Sequence, residues 1–182
     1  LTSKKYSYSI YNKCKKTKKR EDKLLTEKEL YTIKKLKTFK GMEGMGGFNL
    51  DLCRNGKKIA ECINDDTGGD TMFYFINKEE EKIFDDYVKS LPPYEYDGET
   101  YSKDWNIYVE YLVNAALEER LFKRLCKKYV CYELHGDKPG RYYRYGTGKN
   151  LIENYNNYVA TIKKEHGENI AVIYNEKYNI KG

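Results

Sequence analysis

Histidine, proline and tryptophan are scarce in this chain: two, three and one among 182 residues. The five cysteines, Cys14, Cys53, Cys62, Cys126 and Cys131, are odd in number and never spaced CxxC. That pattern excludes a paired-knuckle zinc site and a disulfide framework, and it predicts reduced thiols. No run of 18 apolar residues occurs, so no segment is predicted to span a membrane. No charged-then-apolar leader heads the sequence, and because it begins with Leu1, a trimmed or processed start is expected. Gly41, Gly44, Gly46 and Gly47 cluster, but neither GxGxxG opening a helix nor GxxxxGK[ST] is present. Dinucleotide and P-loop sites are therefore excluded. Neither a Ser/His/Asp nor a Cys/His order can be read, and no metal or cofactor is expected.

Charge and tyrosine are abundant. The net charge of +6 conceals an asymmetry, because the first 40 residues hold fourteen Lys/Arg against four Asp/Glu. The remaining 142 residues carry 20 basic and 24 acidic side chains, so a strongly cationic arm precedes a slightly acidic body. Twenty tyrosines offset a mean hydropathy of −0.89. Each buries a large ring while keeping its hydroxyl at a polar boundary, so a core short of Leu and Val can still close.

Periodicity predicts an α+β fold: an antiparallel β-meander with an N-terminal β-hairpin, three main helices and a C-terminal hairpin. Residues 1–30 are read as a basic N-terminal hairpin or arm, and 31–182 as a single α+β domain. Tyr6, Tyr8 and Ile10 alternate with polar residues as in a strand. Residues 24–30 either return as its partner or form a short helix capped by Thr26, which leaves a tail before it. Phe48, Leu50 and Leu52 alternate up to Asn55-Gly56, a type I′ turn pair. A two-residue loop would set Leu52 opposite Ile59, Leu50 opposite Glu61 and Phe48 opposite Ile63. Glu61 then falls on the apolar face, which calls for a bulge, a sheet edge or a buried carboxylate. Thr32–Phe39 and Thr71–Ile76 are the expected outer strands.

Asn77 is expected to cap a helix, with Glu80 completing a capping box and Ile83, Phe84, Tyr87 and Val88 as the buried stripe. Pro92-Pro93 ends it, and 92–103 reads as a loop. A long helix over 103–126 has Ile107, Tyr111, Ala115, Phe122 and Leu125 at helical spacing. Strands at 129–134 and 141–145 flank a turn at 136–140. A last helix uses Ile152, Tyr155, Val159 and Ile162 and closes at Gly167.

The candidate nucleic-acid contacts are Lys4, Lys5, Tyr6, Tyr8, Tyr11, Lys13, Lys15, Lys16, Lys18, Lys19, Arg20, Arg141 and Tyr143. Clustered cations neutralise phosphates and release counterions, and interleaved aromatics stack on bases. Arg120, Lys123, Arg124, Lys127 and Lys128 lead into Arg141–Tyr145 as a second basic, aromatic segment. On that strand Arg141, Tyr143 and Tyr145 point one way and Tyr142 and Arg144 the other, so at most half can meet one ligand. Catalytic candidates are His135, His166, Glu61, Asp65 and Asp66. His135, beside Lys138 and Arg141, is the best single base for metal-free RNA cleavage, and His166 reads as a helix cap. Asp65, Asp66 and Asp70 share a glycine-containing loop that could hold Mg²⁺ or Ca²⁺, although turn chemistry accounts for it equally.

Two stretches carry a resemblance. One is Gly47-Phe48-Asn49-Leu50-Asp51-Leu52 followed by Asn55–Ala60, Asn64-Asp65 and Gly68-Gly69. The other is Arg124–Lys128, then Gly136–Gly140 and Asn175-Glu176. The chain is similar to phage and mobile-element anti-CRISPR proteins acting on a type II CRISPR nuclease, over about residues 31–178. The resemblance implies counter-defence in a bacterial cytoplasm, with guide RNA or the ribonucleoprotein nuclease as partner and no small-molecule cofactor. Engagement of the guide RNA, with its truncation as one route, fits the cationic arm. A protein-binding inhibitor that blocks a nuclease through the sheet or acidic loops is the alternative, as is a metal-dependent nuclease using Asp65, Asp66 and Asp70.

Overall fold

The computed structural model describes residues 4–7, 30–41, 46–96, 99–138, 140–146 and 150–181. In chain order the elements are β1 (Lys4–Ser7), β2 (Tyr31–Phe39), β3 (Gly47–Arg54), β4 (Lys57–Asn64), β5 (Met72–Phe75) and α1 (Lys78–Ser90). Next come β6 (Tyr94–Tyr96), β7 (Glu99–Tyr101), α2 (Trp105–Leu125), β8 (Val130–Leu134) and β9 (Arg141–Tyr145). The chain ends with α3 (Leu151–His166), a 3-10 turn, β10 (Ile170–Ile173) and the short α4 (Tyr174–Lys177). The fold is α+β, with two four-stranded sheets ordered β1-β9-β8-β10 and β2-β3-β4-β5. It divides into two compact units, 13–116 and 1–12 with 117–182, and the division falls within α2.

The 13–116 unit is the meander with its helices. Asn55 and Gly56 both adopt positive φ, 50° and 78°, as a type I′ turn requires. The ladder, however, sets Leu52 opposite Ala60, Leu50 opposite Cys62 and Phe48 opposite Asn64, with a bulge between Leu52 and Cys53. One extra residue flips the face of everything beyond it. Glu61 accordingly leaves the apolar face, opposes Asp51 and is exposed. Asp51 is buried yet charged: Lys58 lies 2.6 Å and Lys35 2.9 Å from its carboxylate. Their hydrogen bonds hold its pKa below the ordinary carboxylate range.

Asn77 caps α1 as expected, accepting the Glu80 N–H at 2.8 Å. The Glu80 side chain does not complete a capping box. It forms a bidentate pair with Arg54 at 2.9 and 2.6 Å, tying the end of β3 to the first turn of α1. The core here is aromatic. Phe84 lies 5.1 Å from Tyr31, 5.8 Å from Phe75 and 5.9 Å from Trp105, measured between ring centroids. Residues 92–103, read as a loop, contain the small β6–β7 hairpin, with Tyr94 opposite Tyr101. On the first half of α2 the buried residues are Tyr108, Val109, Leu112 and Val113, while Ala115 is exposed. The stripe is thus shifted by one residue from the spacing-based reading.

In the other unit β9 pairs β8 antiparallel, Val130 opposite Tyr145 and Tyr132 opposite Tyr143, which is the expected C-terminal hairpin. Tyr132 and Tyr145 pack with Leu151, Tyr155, Val159 and Ile162 of α3. Leu151 takes the buried place assigned to Ile152, which is 76% exposed. Cys131 and Tyr142 pack instead with Phe122 and Cys126 at the end of α2 and with Tyr174. Phe122 and Tyr174 stack with centroids 3.4 Å apart.

Asn175, 1% exposed, joins these parts. Its amide nitrogen donates to the carbonyls of Cys126 and Tyr129, each at 3.0 Å, and its oxygen accepts the Cys131 N–H at 2.8 Å. One side chain therefore satisfies two carbonyls just after α2 and one N–H of β8.

Asn175→Ala leaves three buried backbone groups unpaired at about 1–3 kcal/mol each before relaxation. Urea denaturation should show a loss of about 3 kcal/mol, and a loss below about 1 kcal/mol would deny Asn175 this role. A carboxylate with a lowered folded pKa contributes stability that is present above its unfolded value and lost as pH falls through the folded one. Asp51→Asn should therefore destabilise the protein at pH 7. The difference from the parent should shrink as pH falls below about 4, in denaturation curves collected across that range.

Candidate nucleic-acid interface

β1 places the root of the cationic arm. Its antiparallel ladder sets Lys4 opposite Arg144, Lys5 opposite Tyr143, Tyr6 opposite Tyr142 and Ser7 opposite Arg141. The predicted strand character of this segment is met over Lys4–Ser7, and its partner is β9. Residues 24–29 of the segment expected to return lie outside the described residues, as do Tyr8, Tyr11, Lys13, Lys15, Lys16, Lys18, Lys19 and Arg20. β1 ends at Ser7, opposite Arg141, the first residue of β9.

The side chains of β9 are in part already engaged. Arg141 is half-buried and pairs with Asp137 at 3.4 Å. Tyr143 stacks on Tyr132 at 5.2 Å with planes 20° apart and packs against the core under α3. The Arg144 guanidinium lies 4.7 Å over the Tyr129 ring. Alternation along the strand is as expected, but both faces are covered, because α3 packs on one and the end of α2 on the other.

The second basic segment is more open. Arg120, Lys123, Arg124, Lys127 and Lys128 are all exposed on the last turns of α2 and just beyond. Cations here also suit the negative end of the helix dipole. Tyr178 joins them, with Lys123 Nζ 5.9 Å and Lys177 Nζ 5.4 Å from its ring centroid. Burial and the nearby carboxylates Glu118 and Glu119 push the Tyr178 hydroxyl pKa up. Lys177 and Tyr178 were missed in the sequence, since they are more than 45 residues from the helix they flank. Their only local signal was a Lys-Tyr pair among many.

The catalytic candidates are dispersed. His135 is exposed, its backbone N–H donates to the Asn169 carbonyl at 2.8 Å, and its ring has no hydrogen bond or ion pair among the described residues. His166, at the end of α3, has Nε2 3.2 Å from the Tyr132 hydroxyl. Asp66 is buried and accepts the Gly41 N–H at 2.9 Å. A Cβ on Gly41 would stand 2.5 Å from the Asp66 Cβ, so this approach needs glycine. Asp65 accepts from the Thr67 N–H and hydroxyl at 3.2 and 2.7 Å. Asp65 thus serves the loop's own turn, and Asp66 ties the loop to Gly41. Among the described residues no three His, Cys, Asp or Glu side chains are grouped to hold a metal ion.

One buried acidic cluster escaped the sequence reading. The Tyr174 hydroxyl donates to Glu133 at 2.7 Å and lies 3.3 Å from Glu118. Cys126 and Cys131, both buried, share a thiol hydrogen bond that, with burial, raises the Cys131 pKa. Burial, with the negative charges of Asp51 and Glu61, pushes Cys62 up to about 12. Cys131 and Cys62 are therefore protonated, inert core groups at neutral pH. Among the described residues no helix is long and apolar enough to cross a membrane. Comparison with known protein families, characterised proteins and solved structures found no match.

Tyr143 separates a base-stacking role from a packing role. Tyr143→Ala removes a stacked ring from the core edge and should cost about 2–3 kcal/mol in urea denaturation, whereas Tyr143→Phe should be nearly neutral. A neutral Tyr143→Ala would free the ring for a ligand.

Proposed function

We propose that the protein is a mobile-element counter-defence factor that inhibits a host RNA-guided nuclease by engaging its guide RNA. The pairing of Lys4–Ser7 with Arg141–Arg144 supports this reading best. It sets Lys4 and Lys5 on the edge of the sheet that packs on the end of α2, where Arg124, Lys127 and Lys128 are exposed. Lys4 and Lys5 thereby belong to one unit with those cations, more than 100 residues away in sequence. In this reading Lys13, Lys15, Lys16, Lys18, Lys19 and Arg20 anchor phosphates, and Tyr6, Tyr8 and Tyr11 contact bases. The similarity to anti-CRISPR proteins supplies the nuclease, the guide RNA and the bacterial cytoplasm. His135, exposed at the turn where β1 ends, is the base candidate for truncation of that RNA.

A protein-binding inhibitor is the second reading, favoured by the edge strand β5. Met72, Tyr74 and Ile76 stand there 41%, 57% and 58% exposed, an uncharged row at the rim of a sheet.

Replacing the six cations at 13–20 by glutamine should weaken single-stranded RNA binding. It should also flatten the slope of log K against log[salt] by about 0.7 per lost phosphate contact, about 4 in all. Unchanged affinity and slope would remove the arm from the interface. Inhibition that survives loss of RNA binding would favour the protein-binding reading. Labelled guide RNA incubated with the protein, with and without the nuclease, should be shortened if truncation is the route. RNA left intact in every arm would eliminate truncation.

A further inference from the structure

We infer that the free edge of β5 is a self-pairing surface, on which a second copy of this chain adds its own β5 antiparallel and closes a two-fold dimer. The inference stands apart from the RNA reading and needs only the sheet β2-β3-β4-β5.

The outer edge of β5 has free backbone groups. The strand pairs with β4 alone, Tyr74 opposite Glu61 and Phe73 opposite Cys62, and the Ile76 N–H donates to the Ile59 carbonyl at 2.9 Å. Bonding alternates along an antiparallel strand, so Met72, Tyr74 and Ile76 direct their backbone groups to β4. The N–H and C=O groups of Phe73 and Phe75 point the other way, and they have no hydrogen bond among the described residues.

The two edges of this sheet differ. β2, the opposite edge, carries Lys34, Lys35 and Lys37, is broken by a bulge between Lys34 and Lys37, and holds Lys35 at a positive φ of 52°. Charge and bulging are common means of preventing edge-to-edge pairing. β5 has neither: Thr71-Met72-Phe73-Tyr74-Phe75-Ile76 contains no charge, proline or glycine, and its ladder with β4 is regular. The Phe73 and Phe75 rings pack on Trp105, with centroids 5.3 and 5.4 Å away, so the edge is held in place while Met72, Tyr74 and Ile76 stay exposed.

Charge at the two ends of the stretch identifies the occupant. Asp70 lies four residues before Tyr74 and Lys78 four residues after it. Both are exposed, and neither has an ion pair among the described residues. Asn77 is extended, with φ −162° and ψ 166°, so the strand direction carries on to Lys78. Antiparallel pairing about Tyr74 sets the free groups of Phe73 against those of the second copy's Phe75, and the reverse, so all of them are bonded. Tyr74 then meets its own counterpart on the axis, in the non-hydrogen-bonded position where side chains come closest. Met72 falls beside the second copy's Ile76, and Asp70 opposes Lys78 at both ends. A one-residue slip would oppose free groups with bonded ones, and a two-residue slip would separate Asp70 from Lys78. A foreign strand requires a free edge but not charges placed symmetrically about its centre. Because the pairing uses both free β5 edges, the assembly stops at two copies.

The test is sedimentation velocity of the full chain over a concentration series reaching about 1 mM. A monomer–dimer equilibrium is expected in the micromolar range, because one strand per copy is a small interface. Tyr74→Lys sets two ammonium groups on the axis and should weaken dimerisation about tenfold or more. Thermal unfolding of this variant should match the parent's at concentrations where both are monomers, since Tyr74 is 57% exposed. Asp70→Lys alone and Lys78→Glu alone each oppose like charges at both ends and should weaken dimerisation several-fold. An equal mixture of those two variants should form a mixed dimer of about parental affinity, because it again opposes unlike charges. Non-specific stickiness would not give that recovery. A chain that stays monomeric throughout overturns the proposal and leaves the edge to the partner of the second reading. Parental dimerisation by Tyr74→Lys overturns it too, as does a mixture no stronger than its separate variants.

Discussion

The amide of Asn175 holds the 117–182 portion of the protein together. It bonds two carbonyls after the end of α2 and the Cys131 N–H of β8, so helix and sheet are joined by one buried side chain. Such a clamp needs the amide to be dry and fixed, and Tyr174 beside it supplies both by stacking on Phe122. The same hinge orders the rest. With β8 fixed, β9 can pair with it, β1 can pair with β9, and the cationic arm acquires a rigid root.

The protein separates strength from reach. Its charged contacts inside the fold are few and specific: Asp51 between two lysines and Arg54 forked onto Glu80. Both are satisfied pairs and add structure rather than chemistry. Near the end of α2 and in the C-terminal segment, the exposed Lys123 and Lys177 lean over the Tyr178 ring. Aromatics have a similar division of labour. Tyr31, Tyr132 and Tyr174 are wholly buried and build cores, whereas Tyr74 and Tyr101 stay exposed. A chain with few aliphatic residues can do this because the tyrosine ring buries well and its hydroxyl needs only one partner.

Much of the fold was legible residue by residue. Alternation located the meander, Asn55-Gly56 located its turn, and Asn77 located the start of α1, because these signals are local and each has its own backbone geometry. The register beyond the turn was not legible. A classic bulge is a choice between two ladders that differ by one residue, and burial of the facing side chains decides it. The same holds for the helix stripes. Ile152 and Ala115 fit helical spacing as well as their neighbours do, and only the surface each helix packs on selects Leu151 and Leu112 instead.

For the candidate interface, the sequence by itself determined the charge: where cations are dense, that tyrosines accompany them, and that no metal or nucleotide motif is spelled out. Those are additive properties of the chain and survive any folding. Tertiary structure alone decided which of those groups are available. It stacked Tyr143 into the core and tied Arg141 to Asp137, left Arg124, Lys127 and Lys128 open, and brought Lys177 and Tyr178 to Lys123. It also chose β9 as the partner of Lys4–Ser7. Pairing and burial join residues far apart in sequence, and the free energy that selects among such pairings belongs to the packed whole rather than to any segment.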